Sequence, residues 1–520
     1  MEFLFFSNSI DTTLVQSLPK QGLDDLINTA FDPVASAWES LVLSGFTGPG
    51  GISIPIVLCL LVGGATFFTL IFGFVNIRLF PLSLKVVRGH YDTIEHADDP
   101  IIAEGIRKID GDIVDTIKVE GHTGELSHFQ ALSAAVSGTV GLGNIAGVAV
   151  AIVLGGPGAT FWMIIAGLLG MTSKFVECTL GVKYRDIDQQ GVVYGGPMYY
   201  LSRGLQSLGW SNFGKGLAIL FSILCVGASF GGGNAFQANQ AAKQIISQFG
   251  IHSSFAGSLL GAVMAVFVAL VIIGGVKRIG RVTEKLVPFM AIIYVGAGLI
   301  ILIANYHQIL PSFSLILQSA FKPVAIQGGI IGVLITGFRR AAFSNEAGVG
   351  SAAIAHSAVS TRFPASEGIV ALLEPFIDTV VICTMTALVI IVTGNYINPD
   401  NLNGVDLTTR AFEHTIPGFS YVLTLAILLF AFSTMISWSY YGLQSWKYLF
   451  GRSRTSDITY KLLFLLFVVI GAAATLDAVI KFSDAMILAL VFPNMIGLLL
   501  LFPRVREELR RYLKAIRNAP

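Results

Sequence analysis

The stretch SGTVGLGNIAGVAVA, residues 137–151, places Gly138, Gly141, Gly143, Gly147 and the amide of Asn144 in an uncharged, apolar run. Glycine costs about 1 kcal/mol relative to alanine inside a helix, so four of them within ten residues weaken any helix formed there. Two uses offset that weakness. Small residues let helices pack closely. Alternatively, a deliberate break frees peptide carbonyls for a cation and N–H groups for an anion, which is tolerated at membrane depth only where it lines a cavity. In the second case the N–H groups of Gly141, Leu142 and Gly143 suit a carboxylate, because a half-helix N-terminus carries positive potential. Asn144 then offers both donor and acceptor to a ligand; its alternative is a hydrogen bond between helices.

A second stretch, FRRAAFSNEAGVGSAAIAHSA (338–358), also sets Gly, Ser and Asn inside a long apolar segment and adds charge. NIAGVA at 144–149 and NEAGVG at 345–350 share Asn-x-Ala-Gly-Val, 201 residues apart, which makes Asn345 the counterpart of Asn144. Arg339, Arg340, Glu346 and Asp378 fall within apolar segments, where ionisable groups are generally paired or functional. Pairing is the expectation for the arginines. Glu346 is a candidate to balance one of them or to hold an ammonium or cation, and Asp378 a candidate for a second cation site or a gate. Lys174 and Glu177, three apart, are expected to pair on a helix surface. Gln237 lies mid-segment in GGGNAFQANQ with Asn234 and Asn239 as rivals, and spacing alone does not separate them. In FSTMISWSYYG (432–442), Ser433 and Thr434 are adjacent hydroxyls, and Thr434 and Trp438 share one helix face. Trp438 is read either as a wall of a binding site or as an interfacial anchor.

The composition says what must position these residues. Of 520 residues, 54% are hydrophobic and 12% charged, with mean hydropathy +0.73, so most apolar surface must face lipid. A spanning helix needs about 20 apolar residues. Eleven such stretches are predicted, at 52–76, 128–154, 159–181, 216–247, 255–275, 286–304, 327–357, 368–394, 418–446, 462–480 and 485–503. With the N-terminus outside, 25 of the 33 Lys and Arg fall in cytoplasmic segments, against four outside (Lys20, Lys322, Arg410, Lys481). That asymmetry follows the positive-inside rule and places the C-terminus in the cytoplasm. The first glycine-rich stretch then runs inside to outside and the second outside to inside, each heading five spans. Inverted five-helix repeats with broken first helices are one transporter architecture.

The flanking pieces carry no assigned chemistry. Residues 78–127 are mixed in charge, are predicted to form a small cytoplasmic helix or hairpin, and are too short for an enzyme-sized core. The basic tail RVREELRRYLKAIR is expected to lie on the cytoplasmic membrane surface. The four cysteines (Cys59, Cys178, Cys225, Cys383) are read as buried free thiols. The N-terminus lacks a basic region and a small-residue cleavage site, so no signal peptide is expected.

GELSHFQALSAAVSGTVGLGNIAGVA (124–149), GMTSKFVECTLGVKYR (170–185), GGPMYYL (195–201), FSNEAGVGSAAIAHSA (343–358) and EPFIDTVVICTMTALVI (374–390) together resemble the alanine/glycine:cation symporter family over roughly residues 120–503. GLGN at 141–144 also resembles the sodium-site stretch of neurotransmitter:sodium symporters. The resemblance implies a LeuT-type fold and sodium-coupled uptake of small neutral amino acids. It implies that Gln237 contacts substrate, and that Thr434 and Trp438 do so too, the indole limiting the ligand to alanine or glycine size. It further implies a sodium site of the Ser433 and Thr434 hydroxyls with backbone carbonyls near Ser137 and Val140, a set of hard oxygen donors. Two departures stand out: a long 78–127 insert, and RRAA at 339–342 where an Arg-Gly pair is usual.

The chain is therefore expected to be an all-α polytopic membrane protein, a 5+5 inverted repeat (128–304 and 327–503) with one extra N-terminal helix (52–76). An extracytoplasmic segment (1–51), a cytoplasmic insert (77–127), an external loop (305–326) and a basic cytoplasmic tail (504–520) complete it. The expected function is secondary active symport of sodium and alanine or glycine in the cell inner membrane, with Gly141, Gly143, Asn144, Gln237, Thr434 and Trp438 on the substrate. Sodium is the only accessory group expected, held by Ser137, Val140, Ser433 and Thr434; Asn345, Glu346 and Asp378 are further intramembrane candidates. Net charge near zero gives no field for nucleic acid. No Walker-type loop, HExxH or GxSxG set appears, so ATP-driven transport and hydrolytic chemistry are not expected. The alternatives are a proton-coupled transporter of the same fold, or a channel.

Overall fold

The computed structural model describes residues 22–48, 53–95, 108–109, 112–113, 126–187, 192–273, 275–321, 329–397, 400 and 402–518. Among them the chain is almost wholly helical, with three two-stranded ribbons outside the helices. Before the first glycine-rich stretch come α1 (Leu23–Val42), α2 (Ile56–Ile71), α3 (Phe80–Val87) and the single turn α4 (Asp92–Glu95).

Helix α5 (His128–Thr139) starts from a capping box: Ser127 accepts from Gln130 N, and the Gln130 side chain accepts from Ser127 N at 3.1 Å. It stops at Val140, whose ψ of 89° leaves helical geometry. The chain restarts as a π-helical turn, Gly143–Gly147, running into α6 (Val148–Gly155), and the two halves are bent by 52°. Then follow α7 (Gly158–Lys183), α8 (Ser211–Phe230), the π turn Gly231–Ala235, α9 (Phe236–Phe249), α10 (Ala256–Ile272), α11 (Gly275–Ala304) and α12 (Tyr306–Phe321).

The second stretch breaks too. Helix α13 (Gly329–Asn345) ends where Glu346, Gly348 and Gly350 take positive φ of 55°, 86° and 94°, and a short α14 (Ala352–His356) follows. Two of these three positions are glycine because only glycine adopts such angles freely. The chain continues through α15 (Pro364–Ala371), a π-helical stretch at Phe376–Cys383, α16 (Thr384–Val392), α17 (Val405–Thr415), α18 (Phe419–Phe450), α19 (Arg454–Ala473), α20 (Leu476–Ala489) and α21 (Val491–Arg517).

Seven described helices are long and apolar enough to cross a membrane, or eight if the bent α5–α6 pair counts as one, and α2 and α10 are shorter apolar helices. Helix α7 runs through the middle, packed against α2, α12, α13, α14 and α15. Several boundaries differ from expectation. The predicted span 462–480 divides at extended Ala474 and Thr475, a turn that the sequence does not announce because no Gly or Pro stands at it. The predicted external loop carries α12. The basic tail is not a separate surface helix. It prolongs α21 as one rod whose Val505, Glu508 and Tyr512 are buried against the protein, α15 among its neighbours. Cys59 is exposed rather than buried, while the other three cysteines are buried.

Small residues set the closest approaches. A Cβ on Gly471 of α19 would lie 2.3 Å from Ala235 Cα and 2.6 Å from Ala235 O, where backbone rather than a flexible side chain blocks it. Gly471→Leu is therefore expected to destabilise the bundle by about 1–3 kcal/mol, the range for overpacking. It should lower the midpoint of thermal unfolding in detergent, and an unchanged midpoint would show that α19 is free to shift.

Candidate functional site

At the first break two of the freed N–H groups find partners in side-chain amides. Gly141 N–H donates to Asn144 Oδ1 at 2.9 Å, and Leu142 N–H donates to Gln237 Oε1 at 3.0 Å. Gln237 in turn donates to Gly232 O at 2.9 Å, within the π turn of the α8–α9 helix. Of the three amides in that segment, Gln237 is the one that reaches the break. Asn234 donates to Phe464 O and Asn239 to Gly471 O and Ala474 O, so both link helices. The N–H groups expected to be open at Gly141 and Leu142 are thus held by the protein's own oxygens.

The second break repeats the device. Asn345 Oδ1 accepts from Ala347 N–H at 3.0 Å, and Asn345 Nδ2 donates to Thr379 Oγ1 at 2.8 Å. Asn144 Nδ2 reaches the neighbouring residue, donating to Asp378 Oδ2 at 2.7 Å. Asp378 Oδ1 accepts from Ser344 Oγ at 2.8 Å and Thr379 Oγ1 at 2.7 Å. One buried carboxylate on the π-helical stretch therefore joins the two broken segments, and Asn144, Asn345 and Asp378 come together.

The third wall is α18. Thr434 Oγ1 donates to Ser137 O at 3.2 Å, and Ser137 Oγ donates to Ser433 O at 3.1 Å. The Ser433 hydroxyl itself turns away, donating to Phe430 O at 3.0 Å, so Ser433 presents its carbonyl rather than its hydroxyl to the break. Ser437 Oγ, 3.0 Å from Ser137 Oγ, stands on that face instead. The sequence signal for Ser437 was its place one turn beyond Ser433. Val140 is buried at the end of α5. Gly141 packs so closely on this wall that a Cβ would sit 2.3 Å from Thr434 Oγ1.

Trp438 is not an interfacial anchor. It is fully buried, lies over Gly233, and donates from Nε1 to Glu346 Oε1 at 3.0 Å. Glu346 also accepts from the Ser351 hydroxyl, so it closes its own break and does not balance an arginine. Arg339 pairs with Asp484 at 2.7 Å and with Glu39 at 2.5 Å, and Arg340 pairs with Asp484. The expected Lys174–Glu177 surface pair is likewise absent: Lys174 is buried and bonds Glu374 at 3.0 Å, while Glu177 accepts from Asn494. Helix α7 is wrapped on most sides, so its polar positions face other helices rather than water. A Cβ on Gly143, in the first break, would meet Phe343 and Ser344 of the second broken segment at 3.5 Å.

Two broken helices that meet at a buried, hydrogen-bonded carboxylate, inside a bundle of apolar spans, are the arrangement of a multi-pass membrane transporter. The match to the sodium:alanine symporter family covers residues 49–519, and the chain belongs to that family. It is 40% identical to the sodium/alanine symporter AgcS of Methanococcus maripaludis over 89% of this chain and 95% of that one. It is 35% identical to the probable sodium/glutamine symporter GlnT of Bacillus subtilis (75% and 79% covered). The identity is also 35% to the putative sodium/proton-dependent alanine carrier protein YrbD of the same organism (78% and 85% covered). Sodium-coupled amino-acid symport is the activity of this family.

Asp378→Ala should leave the Asn144 and Ser344 donors buried without their acceptor. Each unmade bond costs about 1–3 kcal/mol, so a marked drop in thermal midpoint is expected. A midpoint equal to that of the unaltered protein would mean the two breaks do not depend on this carboxylate.

Proposed function

We propose that the protein carries small neutral amino acids, alanine and glycine, inward with sodium, by alternating access between two inverted five-helix repeats at 128–304 and 327–503. On this reading α2 is the extra helix, the N-terminal segment lies outside and the C-terminus in the cytoplasm of a cell whose inner membrane holds the protein. The observation that carries it is the pair of breaks, each capped by the asparagine of the same Asn-x-Ala-Gly-Val and both bonded to residues 378–379.

The Gly141 and Leu142 N–H groups, with Gly143 beside them, are where a substrate carboxylate would replace the amide oxygens of Asn144 and Gln237. Thr434 and Trp438 bound the space beside them, and the indole fixed to Glu346 leaves little room for a long side chain. Sodium favours oxygen donors, and the carbonyls of Ser137, Val140 and Ser433 with the hydroxyls of Thr434 and Ser437 supply only oxygen. One sodium ion entering at a potential of about 100 mV releases roughly 2.3 kcal/mol. A tenfold gradient adds about 1.4 kcal/mol, enough together for several-hundredfold accumulation of a neutral solute.

A proton-coupled reading keeps one specific support: Asp378 is buried and accepts from the neutral donors Asn144, Ser344 and Thr379, which makes it a candidate proton carrier. Uptake of radiolabelled alanine into proteoliposomes separates the two. Sodium gradients should drive saturable accumulation and potassium gradients should not. Accumulation that follows only a pH gradient would replace sodium by the proton, and flux that never saturates would point to a channel. Trp438→Ala is expected to widen the substrate range to larger amino acids in the same assay, and an unchanged range would remove the indole from the selectivity filter.

A further inference from the structure

Where α4, the start of α5 and the end of α21 meet, one carboxylate spans both broken segments. Glu367 of α15 contacts Nδ1 of His128, the first residue of α5, and Nδ1 of His356, the last residue of α14, the latter at 2.5 Å. The outer nitrogens also face carboxylates. His128 Nε2 is 2.7 Å from Glu95 Oε2, and His356 Nε2 is 3.4 Å from Glu374 Oε2, whose other oxygen holds Lys174 at 3.0 Å. Glu95 further accepts from Tyr512 at 2.6 Å, Thr361 at 2.7 Å and Ser366 at 2.9 Å. His128 is 5% exposed, Glu95 1%, and Glu367 and His356 not at all.

Carboxylates lie on both edges of each ring, at hydrogen-bond length on both sides of His128 and on the Nδ1 side of His356. The proton count is the informative quantity. Three nitrogen–oxygen contacts of hydrogen-bond length (His128 to Glu95, His128 to Glu367, His356 to Glu367) each need one proton between the atoms, wherever it resides. Two neutral imidazoles bring only two. The assembled cluster therefore binds at least one proton more than neutral histidines beside ionised carboxylates. The other ionisable groups on the elements packed here are committed elsewhere. Arg185 donates to the carbonyls of Ser357, Val359 and Thr361, while Lys183 and Arg511 both pair with Glu508. Glu284 accepts from Gln130, Glu177 from Asn494, Tyr441 donates to Ala134 O, and Arg362 stacks on Phe363. Lys85 and Asp92 face outward.

We propose that Glu95, His128, Glu367 and His356 form a proton-binding site that is filled while α5 is closed against α15 and emptied when α5 swings away. On the orientation proposed above, this end is the cytoplasmic gate, so opening to the cytoplasm releases a proton. The sign follows directly. The closed state holds the proton, so it is favoured at low pH, and raising the pH favours opening. A histidine freed from its carboxylates titrates near 6.5, so one proton shifts the open population by about 25-fold between pH 6 and pH 8.

Hydrogen–deuterium exchange of the full chain in nanodiscs, with labelling times corrected for the intrinsic effect of pH, reads this without substrate or coupling ion. Its outcome is thus independent of the symport reading. Peptides covering α5 should exchange up to about 25-fold more readily at pH 8 than at pH 6, with α19 peptides unaffected. Glu367→Gln should raise α5 exchange at both pH values and flatten the dependence. His128→Gln, which keeps a donor toward Glu367, should flatten it without loss of folded protein, and decides the matter if the first variant fails to fold. Equal α5 exchange at both pH values in the unaltered protein, or a full pH response in the foldable variants, would overturn the proposal.

Discussion

A peptide group released from its helix inside a bilayer has no water to turn to, and every unmet donor there costs several kcal/mol. The whole arrangement follows from that requirement. Each break is closed by an asparagine a few residues along its own chain, and each asparagine spends its remaining donor on residues 378–379. Gln237 completes the first break from a third segment. The result is that two segments far apart in sequence are held by one π-helical stretch. Any movement of one break must be negotiated with the other through Asp378.

The glycines serve both physical uses at once. Gly141 sits in the break itself, and its missing Cβ lets Thr434 approach. Gly138 remains helical and makes room for Tyr441, whose hydroxyl would lie 2.8 Å from a Cβ there. Gly233 does the same for the Trp438 ring. Backbone release and close helix approach are therefore two aspects of one site, in which side chains contact bare backbone on three elements.

Much of this was legible beforehand. Both breaks and the pairing of the arginines follow from the intolerance of lipid for unmet polar groups, a constraint that local sequence expresses directly, whereas only the family resemblance separated Gln237 from Asn234 and Asn239. What was not legible depends on which helix lies beside which. Spacing of three along α7 suggested that Lys174 meets Glu177, but burial turns it to Glu374, 200 residues away in sequence. Ser433 and Ser437 exchange roles because the helix face, not the residue type, decides which hydroxyl meets Ser137. The 78–127 insert carried no visible chemistry, since Glu95 acquires its partners only through folding against α5, α15 and α21. The tail looked amphipathic for membrane when its apolar side in fact meets protein.

Helix α1 lies outside the spans yet ties several of them. Asp24 accepts from the N–H groups of Gly257 and Ser258 at the head of α10, Asn28 accepts from Thr475 at the head of α20, and Glu39 holds Arg339 of α13. A strap fastened at three points turns that rim into one mechanical piece. Parting the helices beneath it would break these bonds, whereas tilting them as a group about the strap, as a lid turns on its hinge, would keep them.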